Sequence, residues 1–237
     1  MSANLARKVC VVFGFGPGIG AACARRWAKE GFKVAIVARN GDKLKAFEAK
    51  HSGDLEVVRG YPCDVTNRRQ MEMTVAQIES DLGPIHTMVY NAGKGIWKTY
   101  NQLTEEEFDS CIQTNTRGLL TAAQLICTKM EQRGEGVVAV TGATASWRGK
   151  PYTAAFAAAK AAQRSLSQSL ARDLGPKNIH VFYVIVDGSV DKNEEMGHER
   201  PGSLDPNAIA ETYWYLANQP KSCWTFEADV RPNEEKW

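Results

Sequence analysis

The sequence predicts an α/β fold: a doubly wound, seven-stranded parallel sheet with helices on both faces, formed as one domain over residues 1–237. Three observations predict it. Short β-branched runs alternate with helical stretches along most of the chain. The first of these runs ends in a glycine cluster that opens a helix. No internal repeat, low-complexity tract or interdomain linker breaks the alternation, and the Pro/Gly clusters fall where strands pass into helices.

Taken in order, apolar runs rich in Val and Ile place strands at residues 9–13, 33–37, 56–61, 86–90, 136–141, 179–186 and 223–230. Between them, apolar residues at helical spacing predict helices at 19–30, 42–51, 68–81, 105–133 and 153–174. The last two are long enough to supply a subunit interface. The irregular stretch is 187–205, which holds Gly188, Gly197, Pro201 and Gly202 and reads as a surface loop. In an open α/β sheet ligands sit beyond the carboxyl ends of the strands, so a loop there is placed to cover one.

Bulk properties narrow the function. A composition of 43% hydrophobic and 24% charged residues fits a globular chain without long disordered tracts. With 29 basic and 27 acidic residues the net charge is +2, which gives no reason to expect a nucleic acid or an anionic membrane as partner. The six cysteines (Cys10, Cys23, Cys63, Cys111, Cys127 and Cys223) form no C-x-x-C pair and have no histidines at metal-ligand spacing, so they read as reduced core thiols. The apolar run at 9–13 is too short for a signal-peptide core or a membrane span, and a cytoplasmic address is the expectation.

The first strand runs into Gly14-Phe15-Gly16-Pro17-Gly18-Ile19-Gly20. Glycines at 14, 18 and 20 let backbone approach a pyrophosphate at the N-terminus of the helix that Ile19 opens, the arrangement of a Rossmann-type dinucleotide site. The spacing G-x3-G-x-G resembles the short-chain dehydrogenase/reductase family, and the resemblance extends over nearly the whole chain. It implies a nicotinamide dinucleotide, a small-molecule carbonyl or alcohol as substrate, and a homodimer or homotetramer. It further implies that Asp64, in Cys63-Asp64-Val65, pairs with the adenine amino group. Asn91 and Gly93, in Asn91-Ala92-Gly93, then belong to the turn against the adenosine side. Asn115, in Asn115-Thr116-Arg117-Gly118, matches the family's catalytic asparagine. Phe13 stands where the family usually has threonine.

Cofactor choice turns on the end of the second strand, Val37-Ala38-Arg39-Asn40. No carboxylate stands there to grip ribose hydroxyls, whereas the guanidinium of Arg39 suits the 2′-phosphate of NADP(H). Asp42 is close enough to keep NAD as the alternative.

The substrate end departs from the family. Its pattern places a tyrosine at Phe156 and a serine thirteen residues earlier, at Ala143, within one ungapped alignment that also matches Pro151. A phenyl ring has no proton to donate. Lys160 is retained one helical turn after Phe156, as a ligand to the cofactor ribose by family analogy. Tyr152 would lie one turn before Phe156 if the helix began that early. Asp187 replaces the proline of the family's Pro-Gly and is a second candidate acid or base, although Asp-Gly also simply makes a turn. Thr144 and Ser146 are neighbouring hydroxyls. Trp97, Trp147 and Tyr100 fall in loops suited to framing an apolar or planar substrate. His180 reads as a strand-edge residue and His198 as loop. Two functions follow: an NADP-dependent oxidoreductase with an altered proton donor, or a dinucleotide-binding sensor or scaffold without turnover.

Overall fold

Val9–Phe13 forms strand β1, and all five of its side chains are buried. Such continuous burial is expected of a parallel strand covered on both faces, where each fully buried Val or Phe contributes about 1.5–3 kcal/mol. The computed structural model describes residues 8–51, 57–192 and 202–235. The other strands are β2 (Lys33–Ala38), β3 (Val58–Pro62), β4 (Ile85–Tyr90), β5 (Gly136–Thr141), β6 (Ile179–Val186) and β7 (Glu227–Val230). They pair in parallel in the order β3-β2-β1-β4-β5-β6-β7.

Helices α1 (Ile19–Lys29), α2 (Gly41–Lys50) and α7 (Pro206–Ala217) pack on one face, against Cys10 and Val12 of β1. The other face carries α3 (Arg68–Leu82), α5 (Gly118–Arg133) and the C-terminal end of α6 (Ala154–Leu174), against Val9, Val11 and Phe13. Alternate residues of β1 therefore serve two separate cores, as the period of two in a strand requires. The strand order reverses between β1 and β4, which opens a crevice at their carboxyl ends.

Three sequence expectations need correction. Residues 105–133 are not one helix but α4 (Glu105–Ile112), a π-helical turn at Gln113–Arg117, and α5. The seventh strand starts at Glu227, not 223, because the side chain of Gln219 takes the backbone amide of Thr225 and Cys223 lies in a short 3-10 turn. Helix α7 was not anticipated, although Asp205 caps it, Pro206 begins it, and Ile209, Ala210, Tyr213 and Leu216 are buried at helical spacing.

Cys223 is exposed whereas the other five cysteines are buried, and all six are free. His180 is buried inside β6 and stacks on Trp224 at 4.7 Å, so it is not a strand-edge residue. Gly197, His198, Pro201 and the first residue of the expected third strand lie outside the described residues. No described helix is long and apolar enough to cross a membrane.

Candidate active site

Two cavities line the carboxyl ends of the strands and meet at Gly93 and Lys94, which border both. The first, of about 550 Å³, has Gly14, Arg39, Asp64 and Asn91 in its walls. The second, of about 450 Å³, has Ile19, Ala143, Phe156, Lys160 and Asp187 in its walls. The cleft thus runs from the glycine turn to the start of α6.

Glycine is required at position 14, where φ is 78° and a Cβ would lie 2.3 Å from the Ala92 backbone. The turns after β1 and β4 are locked together there. Asn91 Nδ2 donates to the Gly14 carbonyl at 2.9 Å, and the Asn91 amide donates to the Phe13 carbonyl at 2.9 Å. Gly18 begins α1 without any side-chain acceptor at its N-terminus. The N-terminus of α2 differs, because Asn40 Oδ1 accepts from the amides of Asp42 and Lys43. A phosphate at the end of β2 would therefore meet side chains, and Arg39 and Lys43 both line that cavity. Asp42 does not. Asp64 lines it too, with Oδ1 accepting from the amide and hydroxyl of Thr66.

The π-turn explains the placement of Asn115. Such a turn frees carbonyls that need other donors. Tyr90 Oη donates to the Thr114 carbonyl at 2.6 Å, and Gln163 Nε2 donates to the Asn115 carbonyl at 2.9 Å. Asn115 Nδ2 in turn donates to the carbonyls of Cys111 and Lys94. Its Oδ1 is buried without a hydrogen-bond partner, and a Cβ on Gly93 would lie 3.3 Å from it.

Lys160 is buried, with Nζ donating to the Thr141 carbonyl at 2.8 Å and to Gln163 Oε1 at 2.9 Å. Burial brings its amine down to about 7. Thr141 is anchored by Tyr213, whose hydroxyl donates to Thr141 Oγ1 at 3.0 Å. Tyr213 is fully buried, which pushes its phenol well above the ordinary range, and it lies outside the cavity lining.

Ala143 and Phe156 stand together in the second cavity. The Phe156 ring lies 5.9 Å from Lys160 Nζ and 5.7 Å from the Trp97 ring. Asp187 also lines this cavity, but its carboxylate accepts from Thr144 Oγ1 and pairs with Arg231 at 3.1 Å, while Arg148 stands at 4.0 Å. Tyr152 precedes α6, which starts only at Ala154. It is exposed and does not line the cavity. Ser146 is buried away from the lining, and of the three loop aromatics only Trp97 reaches it. Lys43, Gln163, Tyr213 and Arg231 were missed in the sequence. Lys43 alone had a local signal, a cation one turn beyond Arg39.

The profile of the short chain dehydrogenase family matches residues 8–197. An uncharacterized oxidoreductase of Staphylococcus aureus (strain N315) is 28% identical over 231 residues, covering 96% of this chain and 98% of that protein. A short-chain dehydrogenase from Rhodopseudomonas palustris superposes with a TM-score of 0.84 at 32% identity, covering 95% of this chain and 98% of the other. An alcohol dehydrogenase from the archaeon Thermococcus sibiricus, complexed with 5-hydroxy-NADP, does so at 0.87 and 26% identity, covering 97% and 98%. With the glycine turn, the Asn91 lock and the buried lysine of α6 all set along one cleft, the chain belongs to the short chain dehydrogenase family.

Proposed function

We propose that this protein is an NADP(H)-dependent oxidoreductase acting on a carbonyl or alcohol, in which the tyrosine and serine usual in its family are absent and another group handles the proton. One observation carries the reading: the joined cavities are lined at one end by Lys160 and at the other by Arg39 and Lys43 but not Asp42. The T. sibiricus relative, solved with an NADP derivative, adds support.

When bound, a reduced nicotinamide supplies hydride, and carbonyl reduction then needs one proton from the protein or solvent. Arg39 and Lys43 would hold the 2′-phosphate, Asp64 would pair with the adenine, and the first turn of α1 from Gly18 through Ile19 and Gly20 would receive the pyrophosphate. Lys160, which lines the substrate-end cavity, would hold the nicotinamide ribose. Its amine, close to neutrality because of burial, is also the side chain best supported as a substitute acid. Asp187 is less well supported, since Arg231 and Thr144 engage its carboxylate, and Tyr152 does not line the cavity. Asn115 Oδ1, buried and unpartnered, is an acceptor for a relay water.

The second reading is a dinucleotide-binding protein without turnover, favoured by Ala143 and Phe156 standing together where a proton would be delivered. Titration of the purified protein with NADPH and NADH, followed by a carbonyl panel, separates the two. NADPH should bind more tightly than NADH, and Arg39→Ala/Lys43→Ala should weaken NADPH by about ten- to a hundredfold while NADH changes by less than about threefold. Tighter NADH binding would reverse the cofactor assignment. Binding of neither dinucleotide would sink both readings.

A further inference from the structure

The substrate-end cavity joins an aromatic wall to a cationic rim. The wall is Trp97 and Phe156, with ring centroids 5.7 Å apart and planes tilted by 36°. Gly95 leaves the space that the indole occupies, because a Cβ there would lie 2.3 Å from the Trp97 ring. The rim is Lys94, Arg148 and Lys150, all exposed and all lining the cavity. Among the described residues neither Lys94 nor Lys150 has an ion-pair partner, and Arg148 has only Asp187 at 4.0 Å. Asp187 is the one acidic side chain in the described lining, and Arg231 holds it more closely, at 3.1 Å. The cavity therefore presents positive charge that its own carboxylate does not cancel.

Lys94 also borders the adenosine-side cavity, within reach of a cofactor's phosphates, whereas Arg148 and Lys150 line the substrate end alone. Both lie in the segment between Ala143 and Phe156. Exposed lysines in general only solvate a surface. Cations beside an apolar wall act differently, because a ligand that fills the cavity excludes water and strengthens its attraction to them.

We infer that the substrate is a planar, apolar carbonyl compound bearing a carboxylate, its ring against Trp97 and Phe156 and its carboxylate on Arg148 and Lys150. The carbonyl part of this inference rests on the oxidoreductase reading, whereas the carboxylate part rests on the cavity alone. A guanidinium meets a carboxylate with two parallel N–H donors, and Lys150 adds a point charge.

Matched probes test it: para-acetylbenzoate against acetophenone, and para-formylbenzoate against benzaldehyde. Binding is followed by tryptophan fluorescence, with and without NADPH, and turnover by NADPH oxidation. The carboxylate should be preferred by at least about tenfold in Kd or in kcat/KM, the scale of one charge-assisted hydrogen bond. The ratio should fall to about one in Arg148→Gln/Lys150→Gln and below one in Arg148→Glu, with NADPH affinity unchanged. Equal affinity for both members of a pair, no binding of either carboxylate, or a preference that survives the double substitution would overturn the proposal. A carboxylate preference in binding without NADPH oxidation would uphold the carboxylate part and overturn the carbonyl part together with the oxidoreductase reading. Reduction of the neutral ketone with no carboxylate preference would do the reverse.

Discussion

The two ends of the cleft follow different rules. At the adenosine end the glycine turn is fixed by close backbone approach: Gly14 has room for no side chain against Ala92, and the Asn91 side chain ties the end of β4 to the Gly14 carbonyl. At the substrate end the lining is mostly side chains. Ala143 and Phe156 fill a wall, Lys160 is held by Thr141 and Gln163, and Asp187 is drawn into a pair with Arg231. A dinucleotide cradle made of backbone tolerates little change without loss of the fold. A proton-transfer site made of side chains can change while the sheet stays intact. The difference between the ends is thus one of what each is built from.

The largest effect should come from breaking the backbone-built end. Gly14→Ala forces a Cβ into the Ala92 backbone at a left-handed φ, so it should cost about 3 kcal/mol and abolish measurable dinucleotide binding. Denaturant unfolding and NADPH titration check this, and near-wild-type stability would show that the turn can yield.

A smaller effect separates the two roles of Lys160. Burial lowers its amine to about 7, below the ordinary lysine value of 10.5. Across that window the unfolded chain carries a proton that the folded chain lacks, so stability rises with pH; below the window both states are protonated and the fold bears the full cost of a buried charge. Relative to Lys160→Met, the dinucleotide-free wild type should gain about 2 kcal/mol between roughly pH 6 and pH 9. Parallel pH profiles would instead mean that Lys160 stays charged in the folded protein.

Smallest is Asp187→Asn. It removes the partner of a mostly buried Arg231, which keeps its paired contact with Asp229, so about 1–2 kcal/mol of stability should be lost. Any turnover should fall by less than about threefold, and a loss of hydride transfer to background would make Asp187 the acid.

The same division decided what the sequence made legible. The seven-stranded parallel sheet and the glycine turn that ends β1 follow from alternation and spacing, both local signals, and the structure has both. Residues that line the cleft through one strand end or one helical turn were found as well, including Arg39, Asp64, Asn91 and Lys160. Partners contributed from far along the chain were not. Arg231 reaches Asp187 because β7 pairs with β6, and Tyr213 reaches Thr141 from a helix hidden behind an expected loop. The π-turn at Gln113–Arg117 was invisible for a related reason, since Tyr90 and Gln163, both remote in sequence, supply donors to the carbonyls it frees.

The proposed function has the cleft keep dinucleotide binding without the family's conventional proton donor. The most direct measurement compares NADPH affinity and single-turnover NADPH oxidation over a carbonyl panel for the wild type and for Ala143→Ser/Phe156→Tyr. The account predicts NADPH affinities within about twofold of each other and a rate raised by about two to four powers of ten in the double variant, the usual worth of a positioned general acid. A wild type as fast as the double variant would contradict it, and so would a wild type that binds no NADPH.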